Sequence, residues 1–101
     1  NAEALVQAQF DYAELDKPGN QVRLRLNSTV VNVKHGGDPG SASEAIVTYI
    51  NDNKSFQVMG RNVIMACYNM MIPHLVSDLP KKQAAALRLQ TKALSFTLLS
   101  V

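Results

Sequence analysis

Residues 61–73 read RNVIMACYNMMIP, and this stretch predicts how the rest of the chain is arranged. It contains an unbroken apolar run at 63–66, which follows a turn at Gly60 and ends at a polar break. Such a run, bounded by turn signals, is typical of a strand buried on both faces, as in a parallel sheet. Asn69 can then cap a helix, and Pro73 falls in its first turn, where proline is tolerated. The stretch therefore predicts a buried strand that leads into a helix.

The composition fits one globular domain. The chain has 101 residues, of which 47% are hydrophobic, so it can bury a core. No apolar run approaches the roughly 20 residues that span a membrane. The formal charge is +2 and the basic residues are scattered, which argues against a nucleic-acid partner. The single cysteine excludes an internal disulfide framework and a cysteine-rich zinc site.

Both ends indicate a piece of a longer protein. The sequence begins Asn1-Ala2 without an initiator Met, and its last residues are apolar, whereas domain ends are usually polar. An internal piece would carry no targeting signal. A cytoplasmic location is therefore only the default expectation.

The first third of the chain predicts a helix and a bent β segment. Residues 3–15 carry apolar side chains at helical spacing. Residues 22–34 alternate in two runs whose apolar positions differ in parity. Such a change requires a bend, a bulge or a passage between sheets, and we place it at 27–29. Val30 is then expected where the chain turns between two strands.

A meander follows over residues 30–60. Residues 35–41, HGGDPGS, predict a loop that lacks the spacing of a phosphate-binding turn. Residues 45–50 and 55–59 predict antiparallel strands joined by a tight turn. The remaining predicted elements are a helix at 70–76, a helix at 81–89 that Pro80 introduces, and a strand at 93–101.

Candidate catalytic residues are sparse. His35 and His74 have no carboxylate at metal-ligand spacing, so surface or capping roles are the alternative to a ligand role. Cys67 follows the apolar strand and could be a nucleophile, whereas buried cysteines usually pack as small hydrophobes. Three carboxylates cluster at the end of the first predicted helix without the enclosed setting that tunes a general acid. They are Asp11, Glu14 and Asp16.

Taken in order, these pieces resemble one protein family. The matching segments are 22–33 (VRLRLNSTVVNV), the meander, 63–73 (VIMACYNMMIP), Leu79-Pro80 with its helix, and the strand at 93–101. Together they are similar to a segment of the flavin-containing amine oxidase superfamily, of the monoamine and polyamine oxidase type. Within it they most resemble the bacterial spermidine-dehydrogenase-like proteins. The resemblance covers nearly the whole chain.

The resemblance implies a fold and an activity. The fold class is α+β, with an antiparallel β-meander, a short parallel-type strand and flanking helices, as a fragment of an FAD/NAD(P)-binding Rossmann-like domain. Residues 1–66 would belong to the FAD-binding domain, and residues 67–101 would cross into the substrate domain. The parent protein would be an FAD-dependent oxidoreductase that takes a hydride from a C–N bond of a small-molecule amine.

The resemblance also implies cofactor contacts. Val30 matches the family position whose backbone groups bind the adenine of FAD. Ala66 and Cys67 match the small-residue turn packed near the ADP part. The G-x-G-x-x-G turn that holds the pyrophosphate is absent from the sequence, as are the C-terminal flavin motif and the substrate-flanking aromatics. We therefore assign no catalytic residue and expect the piece neither to hold FAD nor to be active alone.

A second interpretation is a non-enzymatic α+β interaction module that binds partners along an edge of its meander. In either case the strands at 63–66 and 93–101 would lack their usual neighbours. Unpaired apolar strands pair readily with another copy. We therefore expect the chain to form a homo-oligomer, with Leu94, Phe96 and Leu98 in the contact.

Overall fold

The structure, a computed structural model, describes residues 11–88 and 94–100. The described chain has α+β architecture, built from five strands and a few short helices. The elements in order are a 3₁₀ helix (Tyr12–Asp16), β1 (Ser28–His35), β2 (Ala45–Asn51), β3 (Lys54–Gly60), β4 (Asn62–Tyr68), a second 3₁₀ helix (Asn69–Met71), α1 (Ile72–Leu75), α2 (Lys81–Arg88) and β5 (Leu94–Ser100). None of the described helices has the length and apolar character to cross a bilayer.

The predicted three-stranded meander is confirmed. Strands β1, β2 and β3 form one antiparallel sheet in that order. Asp52 and Asn53 connect β2 to β3, with φ angles of 53° and 60°. Two consecutive left-handed residues are what a type I′ hairpin turn requires, and Asn and Asp tolerate that conformation. The turn therefore fixes the register in which Asn51 pairs with Lys54.

The prediction that residues 22–26 form a strand is wrong. This segment is exposed and lies outside the sheet, and β1 begins only after Asn27, whose φ is 53°. The alternating pattern has another cause, because Arg23 and Arg25 both reach Asp16 of the first 3₁₀ helix. The backbone N–H of Leu24 also donates to the carbonyl oxygen of Leu15 in that helix. The segment is thus bonded to the helix and has no strand partner among the described residues.

The change of parity occurs inside β1 as a bulge. The register shifts between Val30, which pairs with Tyr49, and Asn32, which pairs with Thr48. Val31 is the extra residue, since a bulge places two residues of one strand opposite one of the other. Val30 therefore lies within β1, and the prediction that it sits at a turn between two strands is wrong.

Most of the first half of the stretch 61–73 forms β4, but the surroundings of this strand differ from the prediction. β4 pairs antiparallel with β5 along its whole length, so the predicted parallel-type pairing is absent from the described residues. Its burial alternates, with Met65 6% exposed and Ile64 64% exposed. The prediction of burial on both faces is therefore wrong, because the described chain covers only one face of this two-stranded sheet. The expectation that β4 and β5 lack strand neighbours is wrong too, since each pairs with the other.

The helices lie near their predicted positions, but their lengths and caps differ from the prediction. The first predicted helix survives in the described region as the short 3₁₀ helix, and residues 3–10 lie outside that region. The second 3₁₀ helix begins at Asn69 itself, so the cap position falls on Tyr68 and not on Asn69. Pro73 lies in the first turn of α1, as predicted. α2 follows Pro80 directly, also as predicted.

The core lies where the meander, β4 and the α1 region meet. Four buried side chains form it, one from β1, one from β4 and two from the α1 region. These are Val33, Met65, Ile72 and Val76. Partly buried side chains from β2, β4 and α2, including Val47, Cys67 and Leu87, pack around them. The sheet of the meander and the ribbon β4–β5 are thereby held together through one small apolar cluster.

Candidate functional site

The structure brings the three predicted cofactor contacts into one cleft. Val30 of β1 and Ala66 and Cys67 of β4 line a cavity of about 190 Å³ between the meander and β4. The other lining residues are Val33, Val47, Val63, Ile64, Met65 and Leu75. The bulge at Val31 lets Val30 and Val33 contribute to the same lining although they are three residues apart.

The cleft is chemically suited to an apolar ring. All its lining side chains are apolar apart from the thiol of Cys67, and the described lining carries no charge. Val31 has no partner in the register, and a bulged residue leaves the regular ladder. Pockets that enclose a whole ligand measure about 300–1,000 Å³, so this cleft is smaller than such a pocket.

Cys67 behaves as a packing residue in this geometry. It is a free, half-buried cysteine, and it contacts the core cluster. A nucleophilic cysteine needs a neighbouring base or a positive environment that stabilises the thiolate. The lining of the cleft offers neither. The geometry therefore favours the small-hydrophobe interpretation of Cys67.

A histidine–aspartate pair was missed by sequence reasoning. One carboxylate oxygen of Asp78, Oδ2, lies 2.7 Å from His35 Nδ1 and accepts from the backbone N–H of His35 at 2.8 Å. Burial works to raise the pKa of Asp78, but the hydrogen bonds from His35 outweigh it, and the pKa lies below its usual value. An ionised carboxylate can only accept, so Nδ1 of His35 donates to it. His74, by contrast, is exposed.

Within residues 11–88, the pair lacks the rest of a catalytic constellation. The second oxygen of Asp78, Oδ1, is buried and has no hydrogen-bond partner in the described chain. The described residues contain no group of three or more His, Cys, Asp or Glu that could hold a metal ion. The carboxylate and His35 are 43 positions apart, and no local pattern marks either residue. The contact is therefore a structural link between the end of β1 and the segment that precedes α2.

A second polar cluster joins the first 3₁₀ helix to the meander. Asp16 Oδ2 lies 2.6 Å from Arg25 Nε, and Asp16 Oδ1 lies 2.9 Å from Arg23 Nε. The hydrogen bond from Arg25 contributes most to holding the pKa of Asp16 below its usual value. Arg25 also donates to the hydroxyl of Tyr49, and its guanidinium lies 5.5 Å from the centre of the Tyr49 ring. Asp16 is thus engaged in ion pairs and is not placed as a general acid.

Comparison with known proteins assigns no family to the chain. A scan against protein-family models found none that matches it, and a search of the curated proteins found no match either.

Proposed function

We propose that the chain is a segment of the FAD-binding domain of an FAD-dependent enzyme that oxidises amines. Residues up to Ala66 would belong to the FAD-binding domain, and those from Cys67 onward would cross into the substrate domain. One observation supports this proposal above all. Val30 lies far in sequence from Ala66 and Cys67, yet all three residues line one apolar cleft.

Each lining residue has a role in this proposal. Val30 forms one wall and brings the bulged backbone beside the base. Ala66 is small, so a flat ring can approach β4 closely, and Cys67 fills the space toward the core. The bound flavin would accept the hydride from the amine, and this chain would only bind and orient the adenine end. The uncharged lining means that the pyrophosphate must be bound by other parts of the proposed parent protein.

The parent protein, expressed from its full reading frame, tests the proposal. We expect a protein that is purified with bound flavin, visible in its absorption spectrum. We also expect a glycine-rich strand–turn–helix encoded upstream of residue 1, since such a turn binds the pyrophosphate of a dinucleotide. A parent without flavin, and without that upstream motif, would overturn the proposal.

A second candidate function is an interaction module that binds through a sheet edge. The observation that favours it is β3, which is exposed along nearly its whole length. Phe56 and Val58 lie on the face of β3 that continues the apolar face of β2, because they pair with Tyr49 and Val47. An exposed edge strand with apolar side chains can accept another strand through backbone hydrogen bonds. Binding of an extended peptide that is lost when β3 is altered would support this function.

A further inference from the structure

The two edge strands of the meander, β1 and β3, differ in whether other parts of the described chain cover them. At the β1 edge, Val33 forms a parallel bridge with Val76, and the backbone N–H of Ser77 donates to the carbonyl of Val33 at 3.3 Å. The residue after Ser77 is Asp78, and its Oδ2 accepts from the backbone N–H of His35, two residues after Val33. The carboxylate stands where the carbonyl of a neighbouring strand would stand. The β1 edge is therefore closed at its far end by the chain itself.

The β3 edge has no such cover within the described ranges. β3 pairs with β2 in unbroken register and has no second neighbour in the sheet. Its sequence, KSFQVMG, contains no proline, and its single charged residue, Lys54, is at the start. Bulges, prolines and central lysines are the devices by which proteins block an edge strand. β3 uses none of them, although Met59 is 66% exposed.

We infer that β3 pairs with β3 of a second copy of this chain, antiparallel, about a two-fold axis at Gln57. This inference rests on the second proposed function, the sheet edge as an interaction surface, and it names the partner. It does not depend on flavin. In this register Gln57 faces its own copy, Phe56 faces Val58, and Ser55 faces Met59.

The backbone is arranged for that register. The two-residue turn makes Asn51 and Lys54 a hydrogen-bonded pair, and such pairs alternate along an antiparallel ladder. Ser55, Gln57 and Met59 therefore direct their N–H and C=O groups away from β2. These three residues are the ones that the two-fold register brings into hydrogen-bonded pairs. The joined edges would form about six backbone hydrogen bonds, two for each such pair and its symmetry mate.

The side chains are self-complementary as well. Phe56 and Val58 lie on one face, so the apolar face of the meander continues across the axis. The ring of Phe56 already stacks on Tyr49 at a centroid distance of 5.6 Å, which holds it in place. The two Lys54 residues come to opposite ends of the joined strands, roughly 20 Å apart at about 3.3 Å per residue. That separation exceeds the screening length of about 8 Å at physiological salt, so the like charges do not oppose pairing.

Size-exclusion chromatography coupled to light scattering tests the inference on the 101-residue chain. We expect a mass of twice the 11.0 kDa of one chain at about 100 μM, well above micromolar dissociation constants. A monomer at that concentration overturns the inference. A monomer that nevertheless binds an extended peptide at β3 also overturns it, and leaves the broader interaction function standing.

Two double variants test the register with matched charges. In S55E/M59E the two facing positions repel across the axis, whereas in S55K/M59E the same positions attract. Both residues are exposed and lie about 13 Å apart within one strand, so folding of the single chain should be nearly unaffected. We expect the dissociation constant of S55E/M59E to exceed that of S55K/M59E by about tenfold. Equal constants, with equal melting temperatures, would place the contact elsewhere and overturn the inference.

Discussion

Asp78 binds His35 twice through a single oxygen, since its Oδ2 lies 2.8 Å from the backbone nitrogen and 2.7 Å from Nδ1 of the same residue. The two contacts fix both the main chain and the ring of His35 at the end of β1. They also hold the segment before α2 against the sheet, beside the bridge between Val33 and Val76. The helical region of the chain is therefore attached to the meander through polar as well as apolar contacts.

Replacing Asp78 with Ala should destabilise the fold. The variant leaves the backbone N–H and the Nδ1 of His35 without their acceptor in a half-buried place, which costs about 1–3 kcal/mol of unfolding free energy. Urea denaturation followed by circular dichroism measures the change. Glu44→Ala is the control, since it removes a carboxylate from an exposed position near the same end of the sheet. Equal stability of the two variants would contradict the assigned role.

The contribution of Asp78 should depend on pH in a defined direction. The folded protein holds the pKa of Asp78 below its ordinary value of 3.8. The ionised form therefore stabilises the fold at every pH above 3.8, and this contribution is lost as the pH falls through the lowered pKa. The difference in unfolding free energy between wild type and Asp78→Asn should shrink as the pH falls below 3.8. A difference that stays unchanged below pH 3.8 would show that another group is responsible.

The isolated chain should not hold FAD. Its cleft of about 190 Å³ is smaller than the 300–1,000 Å³ of pockets that enclose a ligand, and its described lining carries no charge for the pyrophosphate. Titration of the chain with FAD, followed by quenching of flavin fluorescence, is the measurement. Saturable binding tighter than about 10 μM, roughly −7 kcal/mol, would contradict this prediction.

In the parent protein, Val30→Asp should reduce the amount of bound flavin. A carboxylate beside the adenine would be buried without a partner when the cofactor binds, which costs several kcal/mol. Val22→Asp is the matched control, because Val22 is 87% exposed and lies outside the cleft. Flavin content per protein is read from absorbance.

The isolated chain provides the control for folding. Val30 is 39% exposed there, so Val30→Asp should change the melting temperature of the isolated chain only slightly. If the parent variant loses flavin while the melting temperature of the isolated variant chain is nearly unchanged, Val30 contacts the cofactor. A parent variant with full flavin content would contradict the assignment of Val30.

Local patterns were sufficient to predict the meander. Its strands β1 and β2 are short runs rich in β-branched residues that turn signals bound, and the turn residues Asp52 and Asn53 are of the types that adopt left-handed φ angles. The segment at 22–26 also has a strand-like pattern, a period-two alternation, but it does not form a strand. There the arginines that looked solvent-facing are bound by Asp16, and a single-strand pattern cannot reveal such a partner.

Long-range pairing explains the remaining differences. β4 finds its neighbour in β5, about thirty positions later, and the apolar run alone does not say whether that neighbour is parallel or antiparallel. The contact between Asp78 and His35 has no sequence signature at all. Three of the nine lining residues of the cleft, Val30, Ala66 and Cys67, were named through the family resemblance, and their convergence is a property that only the folded chain displays.

The bulge at Val31 shifts by one residue which side chains of β1 lie on each face of the sheet. Val30 lines the cleft and Val33 fills the core, and an uninterrupted strand would turn one of these two outward because its side chains alternate. Because Val31 is an extra residue, Val30 and Val33 lie on the same face of β1. The spacing between 30 and 33 is therefore a fixed interval, so that one inserted or deleted residue there would separate cleft from core, whereas the loop at 36–44 leaves room for changes in length.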